Sequence, residues 1–189
     1  MKAFNDWSDV LIIGGGHSAK VFDYRKTPLC SKVLSCNGAV FAIDSIGCSA
    51  AGTLPAFFSL DNQWITQNRR FLSIYKGEKY AAVPLETWPE CVGIPGVTYL
   101  SHGHDLELST DLEVINGTNS GFGALNLAVH KGARKIYLIG YDMNTDDNDQ
   151  YVYWREEFKN TLPQLEARGI EVFNLNPNTS IEAFPVLAT

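Results

Sequence analysis

Two short segments of the chain carry residue types and spacings suited to holding an anion. Gly14-Gly15-Gly16-His17-Ser18 follows directly on the apolar run Val10-Leu11-Ile12-Ile13. Glycines permit a tight turn, and Ser18 is of a type that caps helices, here one expected from Ala19. Strand, turn and capped helix would present backbone N–H groups and the positive end of a helix dipole to a phosphate. The spacing departs from G-x-G-x-x-G, since Ala19 holds the third glycine's place, and no Walker lysine–serine pair follows. A structural turn with no ligand is the plain alternative. The second segment, Asn116-Gly117-Thr118-Asn119-Ser120-Gly121, leads into a helical pattern that starts at Ser120. Thr118, Asn119, Ser120 and Gly121 would form a second anion or ribose cradle, although an ordinary helix cap explains them equally well alone. Two helix N-termini converging on one crevice are what a nucleoside phosphate needs.

Acid–base chemistry has two candidate sources. His102-Gly103-His104-Asp105 places two imidazoles two residues apart. On an extended strand end both project to one face, within reach of a substrate or a metal. Asp61 or Asp142 could add a third ligand, while two exposed loop histidines are the bland reading. As general base, His104 or His102 is favoured over His17, which sits beside the glycine turn. The acidic run Asp142-Met143-Asn144-Thr145-Asp146-Asp147-Asn148-Asp149 begins like a calcium loop. Asp147 stands where the glycine belongs and Tyr153 where the bidentate glutamate belongs, so an EF-hand is rejected. Mg2+ held by Asp142 or Asp61 against a diphosphate stays open as an alternative chemistry, and no metal site is assigned. Trp64, Tyr75, Tyr80, Trp88, Tyr151, Tyr153 and Trp154 could stack on a base or sugar, or simply pack beneath loops.

The elements that must position these residues can be read from hydrophobic pattern. Strand-like runs occur at Val10–Ile13, Val33–Cys36, Phe57–Leu60, Phe71–Ile74, Val97–Leu100, Ile136–Ile139 and Val172–Leu175. Their near-continuous apolar character suggests strands buried on both faces, as in parallel sheets. Ser120–Lys131 reads as a helix closed by Gly132, and about Glu156–Arg168 as another, with Pro163 predicting a kink or a late start. These features predict a single doubly wound, Rossmann-like α/β domain over residues 1–189, with a mostly parallel sheet of six to seven strands. Ligands in such sheets collect beyond the carboxyl ends of the strands. That rule nominates Gly14–Ser18, Asn37, Asp61, His102–His104, Gly140–Asp142 and Asn176–Asn178 as neighbours.

Composition narrows the partners. The chain has 189 residues, 45% hydrophobic and 19% charged, with a net charge of −6. An acidic balance argues against a broad nucleic-acid face but not against a small anion held by amides. Met1–Asp6 lacks the apolar region of a signal peptide and no apolar run reaches transmembrane length, so a soluble, cytoplasmic protein is expected. Cys30, Cys36, Cys48 and Cys91 show no C-x-x-C pairing and read as reduced, structural thiols. A homo-oligomer is left open.

Taken in order, Gly14-Gly15-Gly16-His17-Ser18, Asn37, Phe58-Ser59-Leu60-Asp61, Thr118–Gly121 with its helix, and Ile136-Tyr137-Leu138-Ile139-Gly140-Tyr141-Asp142 resemble motifs of two related groups. One is the bacterial lipooligosaccharide sialyltransferases, whose donor is a cytidine-monophosphate sugar. The other includes the archaeal 6-hydroxymethylpterin diphosphokinases. Val172–Ser180 is similar to the closing strand and loop of the sialyltransferases. The resemblance spans about Val10 to Ser180. It implies donor-nucleotide contacts at Gly14, Gly16, Ser18, Asn37, Ser120 and Gly121, with Asp142 ending the strand that closes the site. It further implies a transferase acting on a nucleotide-activated small molecule, or, in the second group, Mg2+-dependent diphosphate transfer. A nucleotide-binding module without catalysis is the third reading. His17 replaces the sialyltransferases' proline, Tyr151 and Tyr153 could match their paired tyrosines, and no histidine follows His130, so their distal catalytic base is missing.

Overall fold

The computed structural model describes residues 7–45, 54–84, 92–144 and 149–187. Met1–Asp6, Cys48, Trp88, Cys91 and the stretch 145–148 of the acidic run lie outside the described residues. Along the chain come β1 (Asp9–Ile13), α1 (Ser18–Val21), β2 (Lys32–Cys36), a 3₁₀ segment (Asn37–Ser45), β3 (Ala56–Ser59), α2 (Asn62–Gln67) and α3 (Arg69–Ile74). β4 (Lys79–Ala82), β5 (Val97–His102), β6 (Val114–Ile115), α4 (Ser120–His130), β7 (Lys135–Ile139), α5 (Asp149–Asn160), α6 (Leu162–Ala167) and β8 (Glu171–Asn174) follow. The strands form one sheet in the order β6-β5-β4-β3-β2-β1-β7-β8. Each of their pairings is parallel.

Alternation along each strand feeds two covered faces. Val10 and Ile12 of β1 pack with Phe122 of α4, Phe158 of α5 and Leu165 of α6. Leu11 and Ile13 turn the other way, toward Ala19 of α1. Further along that face, Phe57 and Ala81 meet Ile65 of α2 and Leu72 of α3. The doubly wound α/β expectation holds, with eight strands among the described residues in place of six to seven.

Three local readings are corrected. Phe71–Ile74 lies in helix α3, not in a strand; only Leu72 is buried there, and Ile74 is 66% exposed. A four-residue apolar run is too short for periodicity to separate strand from helix. The strand in this region is β4, which opens on a buried lysine: Lys79 Nζ donates to the carbonyls of Leu72 and Tyr75 at 3.1 and 2.8 Å. The expected helix after the glycine turn is α1, only four residues long, with His17 and not Ser18 at its N-cap position. The single late helix divides into α5 and α6 at the break that Pro163 predicts, with Pro163 in the first turn of α6, where its missing N–H costs nothing. Cys30 and Cys36 are buried. Among the described residues no helix is long and apolar enough to cross a membrane.

Candidate functional site

Chain order reverses at β1, which is flanked by β2 on one side and β7 on the other. Such a reversal opens a crevice, because the connections leaving neighbouring strands diverge to opposite faces. A cleft of about 690 Å³ lies here, beyond the carboxyl ends of β1, β2 and β7.

The first wall is the glycine turn. Gly14 and Gly140 bring the ends of β1 and β7 together: a Cβ on Gly14 would stand 2.6 Å from the Gly140 oxygen. Gly140 itself has φ +80, and its Cβ would stand 2.5 Å from the Gly14 oxygen. The Gly14 and Gly16 amides donate to Ile139 O and Gly140 O at 2.8 and 2.9 Å. Ser18 ties the turn to β7 twice. Its hydroxyl accepts the Gly140 N–H at 3.0 Å, and its own N–H donates to Asp142 Oδ2 at 3.0 Å. Asp142 Oδ1 accepts the Asn176 side-chain amide. A carboxylate therefore already occupies the Ser18 amide, and a four-residue helix brings little dipole. Only the Gly15 and His17 amides of this turn are left for a ligand. The turn is suited to hydroxyl or amine donors meeting Asp142 more than to a phosphate.

The second wall is the start of α4, an eleven-residue helix with an open N-terminus. Asn119 Oδ1 caps it by accepting the Phe122 N–H at 2.9 Å, which leaves the Ser120 and Gly121 amides at the cleft. Ser120 Oγ accepts the Leu60 N–H at 3.1 Å and donates to Asn37 Oδ1 at 3.3 Å. That bond leaves the Asn37 NH2 group as a free donor. Asn37 and Met143, at φ 47 and 48, are the non-glycine residues in the left-handed region among those described, and both line the cleft. Such conformations are costly for a side chain like methionine and gather at functional sites. Tyr151 and Trp154 of α5, their rings 5.5 Å apart, complete the lining.

Charge in the cleft is sparse. Among its described lining residues, Asp142 is the one carboxylate, His17 the one imidazole, and there is no lysine or arginine. Burial pushes the Cys36 thiol up to about 12 and raises the Tyr141 phenol as well, so both stay neutral. Tyr141 donates its hydroxyl to Gly121 O at 3.1 Å, linking the two walls. No group of three His, Cys, Asp or Glu side chains converges among the described residues. With Asp142 the one carboxylate among the described lining residues, the residues present do not fit an Mg2+–diphosphate site.

The structure gathers Gly14, Gly16, Ser18, Asn37, Asn119, Ser120, Gly121 and Asp142 around this cleft. Asp61, Thr118, His102 and His104 do not line it. Asp61 caps α2, accepting the Trp64 N–H at 2.8 Å. Thr118 turns its hydroxyl and amide to Glu157. His102 bonds Gly117 O through Nε2 at 2.7 Å, and its ring lies 4.5 Å from that of His104. The carboxyl-end rule holds for strands beside the reversal and fails with distance: four strand spacings put β5 about 19 Å from β1. Glu157 escaped notice in the sequence. The available signal was a glutamate in the apolar stripe Trp154, Phe158, Thr161 and Leu165.

No protein-family model matches the chain, and no curated protein matches it either. Solved structures do. The sialyltransferase CstII from Campylobacter jejuni in complex with cytidine-5'-monophosphate matches with a TM-score of 0.61 at 16% identity, over 96% of this chain and 85% of that one. CstII with the substrate analogue CMP-3FNeuAc gives 0.55 at 17% identity, over 96% and 86%. The monofunctional α-2,3-sialyltransferase Cst-I from the same organism gives 0.59 at 14% identity, over 98% and 82%. At such identities the likeness establishes a shared α/β fold. It lies with the sialyltransferase half of the sequence resemblance, and nothing found supports the pterin diphosphokinase half.

Proposed function

We propose that the chain is a glycosyltransferase of the sialyltransferase type, with a cytidine-monophosphate sugar as donor. The observation that carries this reading is the pairing of two unlike walls in one cleft. The Ser120 and Gly121 amides at the start of α4, with the Asn37 NH2, suit a single phosphate group. Asp142, anchored by Ser18 and Asn176, suits the hydroxyls of a ribose or the amine of a base. Tyr151 and Trp154 offer rings to the base or sugar. The absence of lysine, arginine and a carboxylate cluster from the described lining favours a monophosphate over a magnesium diphosphate. The solved structures of this fold carry CMP and CMP-3FNeuAc in their names, which agrees with that chemistry.

In the reaction, the bond from the anomeric carbon to the phosphate oxygen breaks and CMP leaves as the anion, met by the α4 amides. The acceptor hydroxyl forms the new bond and gives its proton to His17, the imidazole of the cleft, in place of the remote His102 and His104. The test begins with thermal shifts in CMP, UMP, GMP and AMP, each with and without magnesium. At a hundred times its dissociation constant CMP adds about 2.7 kcal/mol of stability. Metal-independent stabilisation by CMP is expected, and CMP release from a CMP-sugar that His17→Ala abolishes without weakening CMP binding. A protein that no cytidine nucleotide stabilises overturns the reading. Binding without turnover of any donor reduces it to a nucleotide-binding module.

A further inference from the structure

Behind the cleft, Glu157 is 1% exposed, with no ion-pair partner among the described residues. Its carboxylate is held by neutral donors alone. Oε1 accepts the Thr118 N–H at 3.1 Å and the Thr118 hydroxyl at 2.7 Å, and Oε2 accepts Asn119 Nδ2 at 2.9 Å. An unpaired carboxylate inside a protein is expensive even when hydrogen-bonded. Burial pushes its carboxyl above the ordinary value, against the pull of these three donors. The position therefore calls for a reason beyond packing.

That reason lies in what the carboxylate joins. Glu157 stands one helical turn after Trp154 on α5, and Trp154 lines the cleft. Its partners, Thr118 and Asn119, are the two residues that lead into α4. Asn119 has two jobs whose polarity is complementary: its oxygen caps the Phe122 N–H while its NH2 donates to Glu157. Glu157 thus decides which way round the Asn119 amide sits, and with it the aim of the Ser120 and Gly121 amides.

We infer that Glu157 is a positioning residue for the phosphate-binding turn, locking the N-terminus of α4 to the aromatic wall on α5 so that both face one ligand. The inference rests on the nucleotide reading above for the identity of that ligand. Glutamate has no isosteric substitute here. The NH2 of a glutamine would meet either Asn119 Nδ2 or the Thr118 N–H, donor against donor, in both of its orientations.

The test compares Glu157→Gln with the unaltered full chain in three measurements: the unfolding midpoint, amide hydrogen exchange over Thr118–Gly121 without ligand, and CMP affinity by calorimetry. The expected result is a folded protein whose midpoint falls, as a buried donor left unpaired requires. Exchange at the turn speeds up about tenfold and CMP binds about tenfold more weakly. Thr118→Val removes one donor at a residue outside the cleft and should move both readouts the same way by about threefold. If Glu157→Gln does not fold, Thr118→Val decides alone. Original exchange and original affinity in a folded variant overturn the inference, as does a lowered midpoint with both unchanged, which marks an ordinary structural residue. If the unaltered chain binds no CMP, the nucleotide reading fails by itself, and exchange at the turn still judges the positioning.

Discussion

Single residues in this cleft do two jobs at once, and Ser18 is the clearest case. Its hydroxyl is the acceptor for the Gly140 N–H and its amide the donor to Asp142. Ser18→Ala leaves the Gly140 amide without a partner, at a cost of about 1–3 kcal/mol. Denaturant unfolding should record that loss, together with weaker CMP binding; unchanged stability would show that the hydroxyl does not hold the amide. The residue types at Gly14–Ser18 pointed to a segment that lines the cleft, but not to its partner there. Nothing in the pattern places Asp142, 124 residues away, on the Ser18 amide. Glu157 was harder still, because an acidic residue on a helix reads as solvent-facing until its neighbours are known.

At the scale of elements, legibility followed length and composition. Stretches of near-unbroken apolar character such as those of β1, β7 and α4 were readable; β4, beginning with Lys79, and the two-residue β6 were not. Lys79 belongs in a strand because its ammonium reaches the last carbonyls of α3, a contact set by the packing of the helix on the sheet. The end of β5 carries a pH dependence. Burial holds the His102 imidazole below its usual value, outweighing its bond to Gly117 O, and the neighbouring His104 pushes the same way. The unfolded chain therefore takes up that proton more readily. The neutral ring contributes stability that is present above the ordinary histidine pKa of about 6.5 and is lost as pH falls through it. Urea midpoints at pH 7.5 and 5.5 should fall less on acidification for His102→Gln, whose amide still donates to Gly117 O, than for the original chain. Equal losses would count against His102 as the source.

Across the whole molecule, the order of strands decides where chemistry can happen, and hydrophobic pattern does not encode that order. Apolar runs announced a parallel sheet, yet the pairing of β1 with both β2 and β7 emerged only from the assembled fold. Two glycine substitutions isolate this seam. Gly140→Ala at φ +80 sets a Cβ 2.5 Å from the Gly14 oxygen, whereas Gly169→Ala at φ +63 meets nothing within 4 Å. The second should cost about 1–2 kcal/mol for its backbone alone, and the first distinctly more, with loss of CMP binding. Similar costs in calorimetric unfolding would deny the seam its role. The seam also carries a consequence for biogenesis. Asp9 pairs with Lys135, so β1, which can join β2 at once, gains its other neighbour only after a far more distant segment has been made. A ligand of this cleft cannot template the nascent chain; it can only reward a polypeptide whose distant parts have already met, and contacts of such high order form slowly.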